Sequence, residues 1–75
     1  MFETYLKQIR YATFATQAEF CRKAKIPLGT YKNWELGRQL PNPHSWENLY
    51  TFICASGAKK EMVEKLERAY LNEKV

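Results

Sequence analysis

Apolar residues recur at three- and four-residue spacing along almost the whole chain, and strand-like alternation is absent. Phe2, Tyr5, Leu6, Ile9 and Thr13 share one helical face and predict a first helix over about 2–13. Thr16-Gln17-Ala18-Glu19 has the form of a capping box, in which the Thr hydroxyl takes a backbone N–H and Glu reaches back. The helix behind it runs to about Ala24 and turns Phe20, Cys21 and Ala24 inward. Lys25-Ile26-Pro27 breaks it, because Pro27 cannot continue a helix but suits the first turn of a new one. A third helix over about 28–36 stops at Gly37. After the rigid Leu40-Pro41-Asn42-Pro43 connector, Asn42 caps a fourth helix with Pro43 at its first position. That helix carries Trp46, Leu49, Tyr50 and Ile53 inward and ends near Ser56-Gly57. A fifth helix, about 58–73, turns Met62, Val63, Leu66, Ala69 and Tyr70 to one side. Glu61–Lys65 and Glu64–Arg68 are i,i+4 pairs on its outer face. The pattern predicts an all-α fold of five helices. Residues 1–75 read as one domain, with no linker and no repeat.

The third helix carries two kinds of face. At 100° per residue, Tyr31 and Trp34 point one way with Glu35 at their flank, whereas Gly29, Lys32, Asn33 and Leu36 point the other way. The first face is a core face and the second faces outward. A half-buried carboxylate needs a partner, and Arg10 at the end of the first helix is the candidate. A short helix, a three-residue break and this second short helix over about 16–36 together read as a helix-turn-helix.

Charge sharpens this picture. The 75 residues hold 12 Lys or Arg against 8 acids, all Glu, for a net charge of +4 and a pI near 9.2. That excess favours a polyanionic partner. Arg22, Lys23 and Lys25 lie near the third helix and offer backbone neutralisation. Candidate catalytic chemistry is thin: no Asp, one His (His44), two Ser (Ser45 and Ser56) and no glycine-rich phosphate loop. Cys21 and Cys54 do not cluster with His44 as zinc ligands do, so no metal or cofactor is expected. Both cysteines read as small buried residues in a reducing compartment. No apolar run reaches the ~20 residues of a membrane span, and the expected location is cytoplasmic.

Residues 6–53 resemble the lambda-repressor-like (Cro/C1, XRE-type) helix-turn-helix family. The matching runs are LKQIR, then TQAEFCRKAKIPLGTYKNWELGRQLP, then WENLYTFI. The most specific part is the Thr30…Trp34-Glu35…Gly37…Pro41 frame, with Thr-Gln opening the second helix. The resemblance implies a bacterial or phage-encoded regulator that binds double-stranded DNA in the major groove. It implies that Gln17 contacts a phosphate. Leu28, Gly29, Thr30, Lys32 and Asn33 match positions at the groove floor or its flanking phosphates, and Arg38 matches a backbone-touching loop. Arg10 and Glu35 match the family's core ion pair.

The chain departs from the family at Lys25, where the turn usually holds Gly, and at Leu28 and Gly29, where reading positions are often Gln, Arg or Ser. Lys25 must then adopt a left-handed conformation. Leu can touch a thymine methyl and Gly lets backbone approach closely, but neither makes a bidentate base contact. Readout then leans on Thr30, Lys32 and Asn33.

The expected function is sequence-specific DNA binding that represses transcription, as a homodimer on a pseudo-palindrome with half-sites about one helical turn apart. Helix five and its preceding turn, with Leu66, Tyr70 and Leu71, are the expected dimer surface. The alternatives are an antitoxin-type module that also binds a toxin protein, and a protein-interaction module that has lost DNA binding. The antitoxin reading needs an extra surface, and the tail LNEKV is short for one.

Overall fold

Helix-start and helix-stop chemistry divides the chain into five helices with short turns. The computed structural model describes residues 1–74. They form α1 (Phe2–Ala12), α2 (Gln17–Ala24), α3 (Leu28–Glu35), α4 (Pro43–Ala55) and α5 (Lys60–Glu73), with no strand among them. Val75, the end of the LNEKV tail, lies outside the described residues.

Each boundary has a local cause. The capping box forms: Thr16 Oγ1 accepts from the Glu19 N–H at 3.1 Å and Glu19 Oε1 accepts from the Thr16 N–H at 2.9 Å. Asn42 Oδ1 accepts from the Ser45 N–H at 2.8 Å, with Pro43 opening α4. Gly37 closes α3 with φ of +76°. Its N–H donates to the Trp34 carbonyl and the Arg38 N–H donates to that of Asn33, so the final carbonyls are satisfied as in a Schellman turn. A Cβ on Gly37 would also lie 3.1 Å from Glu3 Oε2. Lys25 ends α2 in the left-handed region expected of it, at φ 60° and ψ 44°. Phe14, after α1, takes the same region at φ 57°.

The core gathers one stripe from every helix. Leu6, Ile9, Tyr31, Leu49, Ile53 and Leu66 are wholly enclosed. α1 packs on α3 and α5, α2 on α3 and α4, and α4 on α5. Two aromatic clusters tie these layers. Trp46 stacks on Tyr70 with centroids 4.3 Å apart, and Phe20 packs edge-on to Phe52 at 5.2 Å. Each such burial removes aromatic surface from water, worth about 1.5–3 kcal/mol for a side chain of this size. The Tyr70 hydroxyl donates to the buried Pro41 carbonyl at 2.8 Å, which fixes the connector before α4.

Several expectations need correction. Thr13 is an exposed residue at the end of α1, because the helix closes at Ala12. Cys54 is exposed: it follows Ile53 and lies about 100° around the helix from it. Leu66 and Tyr70 are buried, Tyr70 by its stack on Trp46, so neither offers a surface to a second copy. Leu71 remains exposed. Neither Glu61–Lys65 nor Glu64–Arg68 closes to an ion pair; exposed pairs gain too little to immobilise two long side chains. No helix among the described residues is long and apolar enough to cross a membrane.

Candidate functional site

The buried side of α3 is anchored by a polar cluster. Arg10, at the end of α1, donates from Nε to Glu35 Oε2 at 2.7 Å and from Nη2 to Glu35 Oε1 at 3.0 Å. Nη1 donates to the Ala15 carbonyl at 3.1 Å, tying the α1–α2 turn to the same cluster. Glu35 is 2% exposed, deeper than the half burial its flank position suggests. Burial works against its charge, but the hydrogen bonds it accepts outweigh burial, Arg10 foremost, and hold the carboxyl below its usual range. Burial pushes the nearby Cys21 thiol up to about 11, and the Glu35 charge adds to the shift. Tyr31 is enclosed beside the pair, and among the described residues its hydroxyl has no hydrogen-bond partner of good geometry. Burial first and the Glu35 carboxylate second push its ionisation far above the ordinary tyrosine range.

Gln17 links this cluster to the surface. Its Nε2 donates to Glu35 Oε1 at 3.0 Å, and the residue is partly exposed in the first turn of α2. An amide nitrogen has two N–H donors. One is engaged by Glu35 and the other is available to an outside acceptor. Glu35 therefore holds both the end of α3 and the orientation of Gln17.

The outer side of α3 is a continuous face. Leu28, Gly29, Lys32 and Leu36 are exposed and Asn33 is partly exposed, while Tyr31, Trp34 and Glu35 are buried. The face is apolar at both ends, with one cation and one amide between. Thr30 is partly exposed at the flank, and Arg38 is exposed on the loop after Gly37. The structure thus brings Leu28, Gly29, Lys32 and Asn33 onto one surface and places Gln17 beside it.

A groove of about 300 Å³ runs between α1 and α3, lined by Lys7, Tyr11, Gln17, Lys32 and Leu36, with Arg10 and Glu35 also in its wall. Lys7 and Tyr11 line this groove beside the candidate residues, and sequence reasoning did not single them out. Their signal was present: they flank Arg10 one turn apart on the outward side of the first helix. The Arg10 guanidinium lies 4.8 Å from the Tyr11 ring centroid, a cation–π distance.

Charge is uneven along the chain. Seven of the 12 Lys and Arg but only three of the 8 Glu fall within residues 1–40, so the +4 excess lies wholly in the part that builds α1 to α3. Of those three, Glu35 is spent on Arg10 and Glu19 on the capping box. Lys7, Arg22, Lys23, Lys25, Lys32 and Arg38 have no ion-pair partner among the described residues. The face and groove are suited to a ligand with distributed negative charge and hydrogen-bonding edges. No protein-family model matches the chain, and searches against curated proteins and solved structures found no match.

Proposed function

We propose that this chain is a lambda-repressor-like helix-turn-helix regulator that binds double-stranded DNA sequence-specifically and represses transcription in a bacterial or phage setting. One observation carries the reading: the outward face of Leu28, Gly29, Lys32 and Asn33 backs onto a rigid buried anchor, in the half of the chain that holds the charge excess. A helix held this way can be presented to a major groove without rearrangement. In the proposed complex, the free Gln17 N–H, Arg38 and the cations around the groove take phosphates and set register, while Lys32 and Asn33 reach base edges and set sequence. Thr30 sits where it contacts either. The role is binding, without catalysis or a cofactor.

A single module of this size gains specificity by pairing two copies on a pseudo-palindromic site. With Leu66 and Tyr70 spent on the core, the exposed Leu71 and the turn before α5 remain as the proposed contact between copies. The test is a gel shift of short random-sequence duplexes with the wild type and with Lys32→Ala/Asn33→Ala. The wild type should bind and the variant, with unchanged melting temperature, should lose affinity. A folded wild type that binds no duplex would end the reading.

A protein partner is the second reading, and Phe14 favours it. This side chain is 95% exposed and its backbone sits in a region that costs a non-glycine residue energy. An antitoxin-type or interaction module would use such a residue. Its contact would survive the Lys32→Ala/Asn33→Ala change and fail on Phe14→Ser.

A further inference from the structure

Gly29, at the start of α3, has no internal reason for its identity, and Leu28 beside it keeps over a third of its surface in solvent. Gly29 lies in the first turn of an eight-residue helix. Its φ is not left-handed, unlike those of Gly37 and Gly57, so no turn requires glycine. A Cβ built there would meet nothing within 4 Å, so no packed neighbour requires it either. Among residues that a helix tolerates, glycine is the poorest helix former. What glycine leaves there is open space on the outer face of the helix. Leu28, beside it, is 37% exposed, although its side chain would gain from burial. Lys32 and Asn33 follow one turn later on the same face.

From its start, this face offers an apolar side chain, then a position with no side chain, then two hydrogen-bonding groups. A complementary surface carries an apolar projection close to the helix start and polar edges further along. In the major groove, thymine supplies that projection as its 5-methyl group, and the neighbouring base edges supply donors and acceptors.

We infer that Leu28 and Gly29 form a thymine-methyl reader, an inference that rests on the DNA-binding reading above. Leu28 packs against the 5-methyl, and the missing side chain at Gly29 lets the first turn of α3 descend to it. Lys32 and Asn33 then take the edges of the adjoining base pairs. Each half-site carries a thymine beneath the start of α3 that is recognised by its methyl group. The two positions that depart most from polar reading chemistry thereby become determinants of sequence choice.

A methyl in the major groove can also come from 5-methylcytosine, so the test separates the two sources. In a duplex selected by the protein, thymines are replaced one at a time by deoxyuridine, and cytosines one at a time by 5-methylcytosine. Affinity is measured for the wild type, Leu28→Ala and Gly29→Ala. Removing one methyl at the recognised thymine should weaken wild-type binding roughly fourfold, the effect of exposing one buried methyl. Leu28→Ala should bind thymine and uracil duplexes equally. Gly29→Ala should melt higher than the wild type yet bind roughly tenfold more weakly, like a mismatched site. Cytosine methylation should not strengthen binding.

Uracil tolerated at every position, or uracil sensitivity that persists in Leu28→Ala, would overturn the inference and leave DNA binding standing. So would Gly29→Ala binding as tightly as the wild type. Strengthening by 5-methylcytosine with silent uracil replacement would overturn the thymine assignment. A folded protein that selects no duplex would remove the DNA-binding reading, and this inference with it.

Discussion

Replacing Glu35 by alanine removes the carboxylate that three donors share. Arg10 loses contacts at 2.7 and 3.0 Å and keeps its bond to the Ala15 carbonyl and its place against the Tyr11 ring. Gln17 loses its bond to Glu35 at 3.0 Å, the only side-chain partner it has among the described residues. The Arg10 side chain is 11% exposed and that of Glu35 2%, so water reaches the abandoned guanidinium poorly. Breaking a buried pair by deleting one partner costs about 3–5 kcal/mol. At about 0.05–0.15 kcal/mol per residue, a chain of this length holds only about 4–11 kcal/mol in total. A loss of that size should lower the melting temperature by at least about 12 °C, at roughly 4–8 °C per kcal/mol. Lys32 is exposed and has no ion-pair partner among the described residues, and Lys32→Ala should stay within about 0.5 kcal/mol of the wild type. Thermal melts followed by circular dichroism, with urea titrations alongside, make the comparison. Equal melting temperatures for Glu35→Ala and Lys32→Ala would refute the buried-anchor argument. The double change Arg10→Met/Glu35→Leu is the control. With both charges gone, its stability should recover to near the wild type.

The remaining expectations follow from the same contacts. Because the folded Glu35 carboxyl is held below its usual range, its contribution is present above the unfolded carboxyl pKa of about 4.3 and is lost as pH falls through the lower folded value. An acid titration of stability should therefore be steeper for the wild type than for Glu35→Gln, and parallel curves would contradict this. Lys25→Gly should raise stability by about 1 kcal/mol, since Lys25 is exposed and left-handed; a loss in urea unfolding would contradict the strain. Tyr31→Phe should raise stability by about 1–3 kcal/mol, the desolvation cost of a buried hydroxyl that has no bond to lose among the described residues, whereas a loss of a kilocalorie or more would reveal a bond to Glu35. Duplex affinity should fall roughly 10³-fold or more between about 50 and 200 mM salt if ~6 phosphate contacts form, and a flat response in an anisotropy titration would rule out phosphate-led binding.

Much of the architecture was legible because its causes are local. Thr16 and Glu19 reach only three residues to form their box, and Asn42-Pro43 and Gly37 act within one turn. The Arg10–Glu35 pair was also legible, because a carboxylate beside a core tryptophan must find a cation. What escaped depends on choices between distant partners. Periodicity places Leu66 and Tyr70 on the inner stripe of helix five, but it does not say that α1 and α4 consume that stripe. Gln17 reads as a solvent-facing phosphate ligand, and only the fold brings Glu35 within 3.0 Å of its amide. Cys54 lies at the edge of the α4 stripe, where one residue of rotation decides exposure. Phe14 gave no helix-stop signal, because phenylalanine stands where a left-handed residue is normally glycine or asparagine.

The central proposal is that the outer face of α3 reads DNA sequence. The most direct measurement is selection of bound duplexes from a random library by the purified protein, repeated with Lys32→Ala/Asn33→Ala. The account predicts an enriched, two-fold symmetric motif with wild-type protein and none with the variant at equal thermal stability. No enrichment by a folded wild type, or the same motif from both proteins, would contradict it.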